Sequence, residues 1–572
     1  MVSSTFNPGV NSLVQRAENF LNLSDDGQMD QSKIILTSAR WGIDAAAIVV
    51  LLICSALLLF RLGHYALWDD EASTGILAHN VWKFGDTYAW DGTNIDAYGN
   101  GLELTGIKNR VFPPAQFFFA APFLGLLGRT AFAARLPFAL AGIGGFTLWW
   151  WWLRRHKASI QFCLLTAIAV LGNVSLFLYS RQARYYALAW ALSLAFVYLY
   201  VHRNDSQTKR IVFSLCGIAL LATNYFAYGA MMICLCIDYL IFEIRQRRDT
   251  RFQVFMFLLV QSAGFCVIVG IWYPFGRQLF PSYVAASWIT DKLTLFWWNL
   301  RDLNAGEFMW TPMLVVALLV WIVGGFRDVW LIRSILAVII YAAVISILAP
   351  LPVEVMEISY ATRYMVPIIP LGVFISVRVL MALPFSFMPT TVILATFLFL
   401  TSIPYALFQE AVHAPTAIPI RSTLISWIGE LIRPQDQAYR AASAWLNANA
   451  KPLETVYVLP EFAMYPLMFH APQQVYAWQF SPEKRDEYPA LPAVNFKGAI
   501  KPDIVVVFGS YENYDADAVN QIMAAGGSQY KLIASLDVFG RDQTRPELFW
   551  HSFVTIPMIN PNNGINVFRR VP

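Results

Sequence analysis

The chain predicts a polytopic α-helical membrane protein with an α/β domain outside the bilayer at its C-terminal end. Three observations carry that prediction. Hydrophobic residues make up 57% of the 572 positions and charged residues 14%, with a mean hydropathy of +0.50, which is not the balance of a soluble globule. The apolar residues come in blocks of roughly 20, the length a helix needs to cross a bilayer core. After about residue 410 the blocks give way to short runs alternating between strand and amphipathic-helix patterns.

In chain order, residues 1–42 are polar, show no cleavable leader pattern and read as a cytoplasmic N-terminal segment. Within them Leu13 to Leu23 could lie on a membrane surface as a short amphipathic helix. Residues 43–409 hold about eleven spans. These start near 43–62, 131–153, 159–179, 185–201, 211–223, 229–244, 253–273, 311–325, 333–349, 363–380 and 389–408. Arg154-Arg155-His156-Lys157, Arg203 with Lys209-Arg210, Arg245 with Arg247-Arg248, and Arg327 with Arg333 fall on one side, as does Arg40. Basic loops mark the cytoplasm, so the opposite side is the outer one. It receives the loop 63–130, the turns 180–184 and Thr223–Tyr228, the loop 274–310, the segment 350–362 and everything after about 410. Pro113 to Leu127 is apolar but short and opens on Pro-Pro. A span there would invert every later loop, so it is expected to lie along the outer interface.

Residues 410–572 carry strand-like Thr455–Leu459, Asp503–Phe508 and Tyr530–Leu536 between helical Asp436–Ala448 and Asp515–Ala525. Neither a GxGxxG loop nor a phosphate loop is present there. The six cysteines, Cys54, Cys163, Cys216, Cys234, Cys236 and Cys266, all sit in apolar blocks. They read as small buried hydrophobes rather than disulfides or metal ligands. A net charge of +4, gathered in short clusters between apolar blocks, argues against nucleic-acid binding.

Chemistry concentrates on the outer side. Trp68-Asp69-Asp70-Glu71-Ala72 places three carboxylates just past the first span, with Glu103, Glu307, Glu354 and Glu357 as further candidates. Asp69 could simply cap a helix whose first turn holds Asp70 and Glu71. Capping does not explain the accompanying cations: Lys108, Arg110, Arg135, Arg181, Arg184 and Arg363. Tyr179-Ser180-Arg181-Gln182-Ala183-Arg184-Tyr185-Tyr186 joins two apolar blocks through a short outer turn. Positive charge there runs against the usual bias, so a bound anion is the better reading than snorkelling. Tyr360-Ala361-Thr362-Arg363-Tyr364 opens a late span, where an interfacial anchor is the plain alternative. Forked guanidinium hydrogen bonds suit a phosphate at headgroup depth.

The order of these motifs resembles a known family. Asp-Glu after the first span is followed by Pro113-Pro114, Arg135-Leu136-Pro137, Tyr-Ser-Arg-x-Ala-Arg-Tyr, Thr223-Asn224-Tyr225-Phe226-Ala227 and Arg363-Tyr364-x-x-Pro367-x-x-Pro370. Over roughly 43–380 this is similar to the GT-C glycosyltransferase superfamily, in the branch of protein O-mannosyltransferases and lipid A aminoarabinose transferases. The resemblance implies a transferase using a polyprenyl-phosphate-linked sugar on the outer face of the plasma membrane. It implies Asp70 as the catalytic residue with Glu71 beside it, and Asp69 as a competing assignment. Lys108, Arg110, Arg135, Arg181, Arg184, Tyr185, Asn224, Tyr360 and Arg363 would hold the lipid phosphate and sugar. Where aminoarabinose transferases carry Glu-Lys before Pro-Pro, this chain has Val111-Phe112. The phosphate contact would then move to Lys108 or Arg110.

Elementary chemistry agrees with such a reaction. A phosphate leaving group stabilised by cations needs no general acid, and one carboxylate can take the proton of an attacking hydroxyl. A single displacement inverts the anomeric carbon. The acceptor could be a glycan, a glycolipid or a protein. Two other readings stand beside this one: a polysaccharide polymerase or ligase-like enzyme, and a lipid or ion transporter. Transporters often show internal repeats and mid-helix charges, whereas this chain shows no repeat and places its charges at helix ends. Asp69, Glu71 and His79 could share a helix face around a divalent metal, but a histidine facing interfacial water explains His79 as well, and no metal is assigned.

Overall fold

Where hydrocarbon replaces water, a backbone must satisfy its own hydrogen bonds, and the apolar blocks fold as helices. The computed structural model describes residues 45–156, 158–244, 250–272, 288–302, 310–324, 327–348, 362–382, 388–404, 407, 422–509, 516–523, 529–538, 540–541 and 564–571. The segment Leu13–Leu23, Tyr360, Glu307, Glu354 and Glu357 lie outside them. The order begins with α1 (Ala45–Leu59), α2 (Asp69–Phe84), an antiparallel pair β1 (Leu104–Thr105) and β2 (Lys108–Asn109), α3 (Ala115–Leu127) and α4 (Ala131–Arg155). Then come α5 (Ile160–Gly172), α6 (Val174–Ser180), α7 (Tyr186–His202), α8 (Gln207–Thr223) and α9 (Tyr225–Asp238). The helices α10 (Arg251–Val267), α11 (Trp288–Asp302), α12 (Trp310–Val323), α13 (Val329–Leu348), α14 (Ile369–Ala382) and α15 (Met388–Leu400) complete the apolar part.

Each of the eleven expected windows overlaps a described helix, but not every one of these helices is long enough to span. Among the described residues, five helices are long and apolar enough to cross a membrane: Ala131–Arg155, Tyr225–Glu243, Arg251–Gly270, Val329–Leu348 and Arg363–Ala382. A sixth candidate is the pair α5–α6, bent by 63°. The bend has a local cause: Asn173 Oδ1 accepts from the Leu176 amide at 3.0 Å and so starts a new helix. Pro113–Leu127 contains the 13-residue α3, which packs on α2. Gly125 permits that approach, since a Cβ there would meet the Trp82 indole at 2.1 Å. Two cysteines depart from the expected burial. Cys236 and Cys266 are exposed on α9 and α10, on helix faces the protein leaves uncovered, as a hydrocarbon-facing surface would be.

After 422 the chain forms α16 (Thr423–Ile432), α17 (Ala438–Asn449), β3 (Thr455–Leu459), α18 (Met464–His470), β4 (Val475–Tyr476), β5 (Ile504–Phe508), α19 (Ala516–Met523), β6 (Gln529–Leu536) and β7 (Ile565–Val571). The sheet order is β4-β3-β5-β7-β6. β3 is parallel to β4 and β5, with Val456 opposite Ile504. β7 is antiparallel to β5 and β6, with Val567 opposite Val506 and Phe568 opposite Leu532. The apolar helix α16 was not expected in this region; its Trp427 is buried, with its ring 5.5 Å from that of Phe177.

The chain divides into two compact units, Met1–Ile53 and Cys54–Pro572. Within the second unit the sheet and the apolar helices share buried residues. Leu67, Trp68, Ala72 and Ile76 from the α2 region are buried in one cluster with Tyr439, Leu467, Phe469, Val506 and Val567. Gly75 lets Phe469 lie against α2, where a Cβ would sit 2.7 Å from its ring.

Candidate active site

The acidic motif forms the first turn of α2, where a helix dipole favours negative charge. The N-cap position falls on Trp68 rather than Asp69. Burial of the indole sets that start: Trp68 is fully buried and its Nε1 donates to Gln182 Oε1 at 2.5 Å. Asp69 sits inside the turn and accepts from the Asp70 amide at 2.8 Å.

Glu71 and Arg135 form a closed pair. Arg135 Nε donates to Glu71 Oε1 at 2.8 Å and one of its terminal amines to Oε2 at 2.5 Å. The remaining guanidinium hydrogens reach the carbonyls of Leu62, Tyr65 and Ala66 at 3.2, 2.8 and 3.2 Å. Glu71 also accepts from the Ala183 amide at 2.6 Å. The pair thus ties the chain before α2 to the turn after α6, and the Glu71 side chain is closed to solvent.

Asp70 meets a different arrangement. Its Oδ2 lies 3.2 Å from Arg184 and 3.4 Å from Arg363, and its side chain keeps 29% exposure. Arg184 also donates to the Asp70 carbonyl at 3.4 Å and to Thr74 Oγ1 at 3.2 Å. Its guanidinium lies 5.1 Å from the centre of the Phe112 ring. Phe112 supplies an aromatic face under this arginine. Burial opposes the Arg184 charge, but Asp70 and the nearby tyrosines hold its pKa above the ordinary value. The Nε of Arg184 is buried with no protein partner among the described residues. Beside this centre is a closely packed crevice lined by Tyr185, Tyr186, Asn224, Arg363, Tyr364 and Pro367. Asn224 also caps α9, accepting from the Ala227 amide at 2.7 Å.

Other expected site residues are engaged elsewhere. Arg181 donates to the carbonyls of Leu57, Leu58 and Phe60 at 2.6, 3.0 and 3.0 Å, closing the end of α1. Lys108 and Arg110 both meet Asp86 Oδ2, at 2.8 and 2.5 Å, and Arg110 lies over the Trp272 ring at 4.0 Å. Of the expected cations, Arg184 and Arg363 are the two that contact Asp70. Among the described residues no group of three histidine, cysteine or carboxylate side chains is arranged to hold a metal.

Several residues around the site lay beyond the reach of the sequence reading. Gln437 pairs with Ala66 through both amide atoms, at 2.6 and 3.3 Å, and His470 Nε2 accepts from the Leu67 amide at 3.0 Å. Burial, with Arg135 and Arg129 nearby, lowers the His470 pKa to about 3. Asp96 accepts from Ser73 Oγ at 2.6 Å, one turn along α2 from Asp70. Burial pushes Asp96 up to about 6 against that hydrogen bond and the Arg184 charge. Burial, reinforced by Asp96, takes Glu103 to about 8. Asp96 had only its place in a polar loop to mark it, and Gln437 and His470 had no local signal at all.

No family model matches the chain, and no curated protein does. Solved structures similar to it include ArnT from Cupriavidus metallidurans bound to undecaprenyl phosphate, with 13% identity, a TM-score of 0.48, and coverage of 82% of this chain and 93% of that one. The same protein in the apo state has 14% identity, a TM-score of 0.48, and coverage of 83% and 93%. Archaeal oligosaccharyltransferase AglB from Archaeoglobus fulgidus, in complex with an inhibitory peptide and a dolichol-phosphate, has 9% identity, a TM-score of 0.41, and coverage of 83% and 70%.

Proposed function

We propose that this chain is an integral-membrane glycosyltransferase that moves a sugar from a polyprenyl-phosphate donor to an acceptor hydroxyl, working on the outer face of the plasma membrane. The observation that carries the reading is Asp70, half open to solvent and flanked by Arg184 and Arg363 from distant parts of the chain. Two guanidiniums converging on one point suit the phosphate of a lipid-linked sugar. Asp70 serves as the base. The bond between the anomeric carbon and the phosphate oxygen breaks as the acceptor oxygen bonds to that carbon with inversion. The hydroxyl proton passes to Asp70, and the electron pair leaves on the phosphate, where the arginines stabilise it.

In the resting site both arginines contact Asp70. The test uses purified protein and a polyprenyl-phosphate sugar carrying a radiolabel. Asp70→Asn is expected to lower transfer by about 10²–10⁴-fold, the usual contribution of a positioned base. Transfer by the variant at the wild-type rate would remove the assigned role.

A further inference from the structure

An arginine side chain is long and flexible, and holding its guanidinium in one place costs rotamer freedom. Arg184 reaches α2 from 114 positions further along the chain. Three groups of a single turn of α2 meet it there: the Asp70 carboxylate at 3.2 Å, the Asp70 carbonyl at 3.4 Å and Thr74 Oγ1 at 3.2 Å. Two of these three contacts leave the carboxylate out. The Phe112 ring lies 5.1 Å from the same guanidinium. Trp272 Nε1 donates to the Phe112 carbonyl at 2.8 Å and ties that residue to the chain just past α10.

The chemistry of Thr74 fits this place. A hydroxyl has one hydrogen and two lone pairs. The Thr74 hydrogen goes to the Asp70 carbonyl, one turn back along α2, at 3.0 Å, a bond that threonine makes inside helices. Its oxygen is then an acceptor, and the donor it meets is Arg184. Thr74 is 1% exposed and Arg184 5%. Hydrogen bonds to a charged donor are stronger than those between neutral groups, and a buried place with little water strengthens them further.

We propose that Thr74 is a positioning residue for Arg184, its hydroxyl keeping the guanidinium on α2 while the Asp70 carboxylate takes the acceptor proton. This rests on the glycosyl-transfer reading above. The order of charges gives the reason. When the proton arrives, Asp70 becomes neutral and its attraction for Arg184 falls. In the same step the phosphate oxygen takes up the electron pair. A guanidinium held by the carboxylate alone would be released as the leaving phosphate comes to need it. The Thr74 oxygen and the Asp70 carbonyl carry no charge to lose, so their hold persists through the step. Groups already in place stabilise developing charge without rearrangement.

Full-length protein in neutral-lipid nanodiscs provides the test, with undecaprenyl phosphate as the ligand. Its affinity reports how well Arg184 is placed for the departed phosphate. Thr74→Val keeps the shape of the side chain without the hydroxyl. It should weaken undecaprenyl phosphate about tenfold, with the melting temperature near that of the wild type. Thr74→Ser restores the hydroxyl and should bind within about twofold of the wild type. Beside Arg184→Ala, Thr74→Val should have no further effect, because residues acting through one contact are not additive. If Thr74→Val lowers the melting temperature, Thr74→Ala takes its place; if Arg184→Ala fails to fold, the comparison of valine with serine decides. Three results overturn the proposal: wild-type binding by Thr74→Val, an equal loss in Thr74→Ser, or a loss that persists in full beside Arg184→Ala. Failure of the wild type to bind undecaprenyl phosphate overturns the donor reading instead, and with it the role of Thr74 in transfer.

Discussion

Asp70 and Glu71 are neighbours on one helical turn, yet each meets arginine in a different way. Glu71 has no exposed surface, and Arg135 places its guanidinium hydrogens on that carboxylate and on the carbonyls of Leu62, Tyr65 and Ala66. Asp70 keeps 29% of its side chain open and is approached by two arginines at 3.2 and 3.4 Å. A buried pair closed to solvent holds backbone in place and is out of a ligand's reach. A looser, half-open group with two cations beside it can exchange partners, which a reacting site requires. Exposure and surplus hydrogen-bonding capacity separate the two roles, where charge and position alone do not.

Substitutions at these two positions can break that comparison. Asp70→Asn should remove transfer while leaving the melting temperature near that of the wild type. A large fall in melting temperature would make Asp70 a structural residue like its neighbour. Glu71→Ala strands the Arg135 charge in a buried place and should cost about 3–5 kcal/mol of stability, measured by thermal or denaturant unfolding in detergent. Activity would then fall only in step with the folded fraction. If Glu71→Ala is stable and inactive, the division of roles is reversed.

The arginines sharpen the same contrast. Arg363→Ala should weaken undecaprenyl phosphate binding by roughly 10–100-fold, the worth of a hydrogen bond to a charged group. Arg181→Ala should leave that affinity within twofold and lower stability instead, because its guanidinium serves the carbonyls of Leu57, Leu58 and Phe60. Equal losses of binding in both variants would mean that Arg181 reaches the phosphate after all.

The smallest expected effect is a pH dependence. His470 has a folded pKa of about 3 against an ordinary 6.5, lowered by burial and by Arg135 and Arg129. A base with a depressed folded pKa favours the neutral folded form, so the unfolded chain takes up the proton first as pH falls. Stability is complete above about 6.5 and declines below it, by roughly 2 kcal/mol between pH 7.5 and 5. His470→Gln keeps an acceptor for the Leu67 amide and should flatten that part of the profile. An unchanged profile in the variant would assign the acid sensitivity to other groups.

Much of the helical layout was legible because hydropathy and helix propensity are local properties. The windows near 131–153, 333–349 and 363–380 coincide with Ala131–Arg155, Val329–Leu348 and Arg363–Ala382. The break at Asn173 was missed because one capping side chain inside an apolar run leaves the average hydropathy almost unchanged. The site was legible as a set of residue types. Arg135, Arg181, Arg184 and Arg363 are equivalent as sequence signals, and folding gave each a different partner. Gln437 and His470 were invisible, since their bonds to Ala66 and Leu67 join residues far apart in the chain.

The sequence by itself determined where helices form, that α2 begins on three carboxylates, and that arginines follow α6 and precede α14. Periodicity, composition and helix-end electrostatics act over a few residues, so they can be read without a fold. Only the tertiary structure decided that Arg135 closes on Glu71 while Arg184 and Arg363 leave Asp70 half open. It alone brought Gln437 to Ala66 and His470 to Leu67. Hydrogen bonds act over about 3 Å, and which groups come that close depends on how the helices and the sheet share one core.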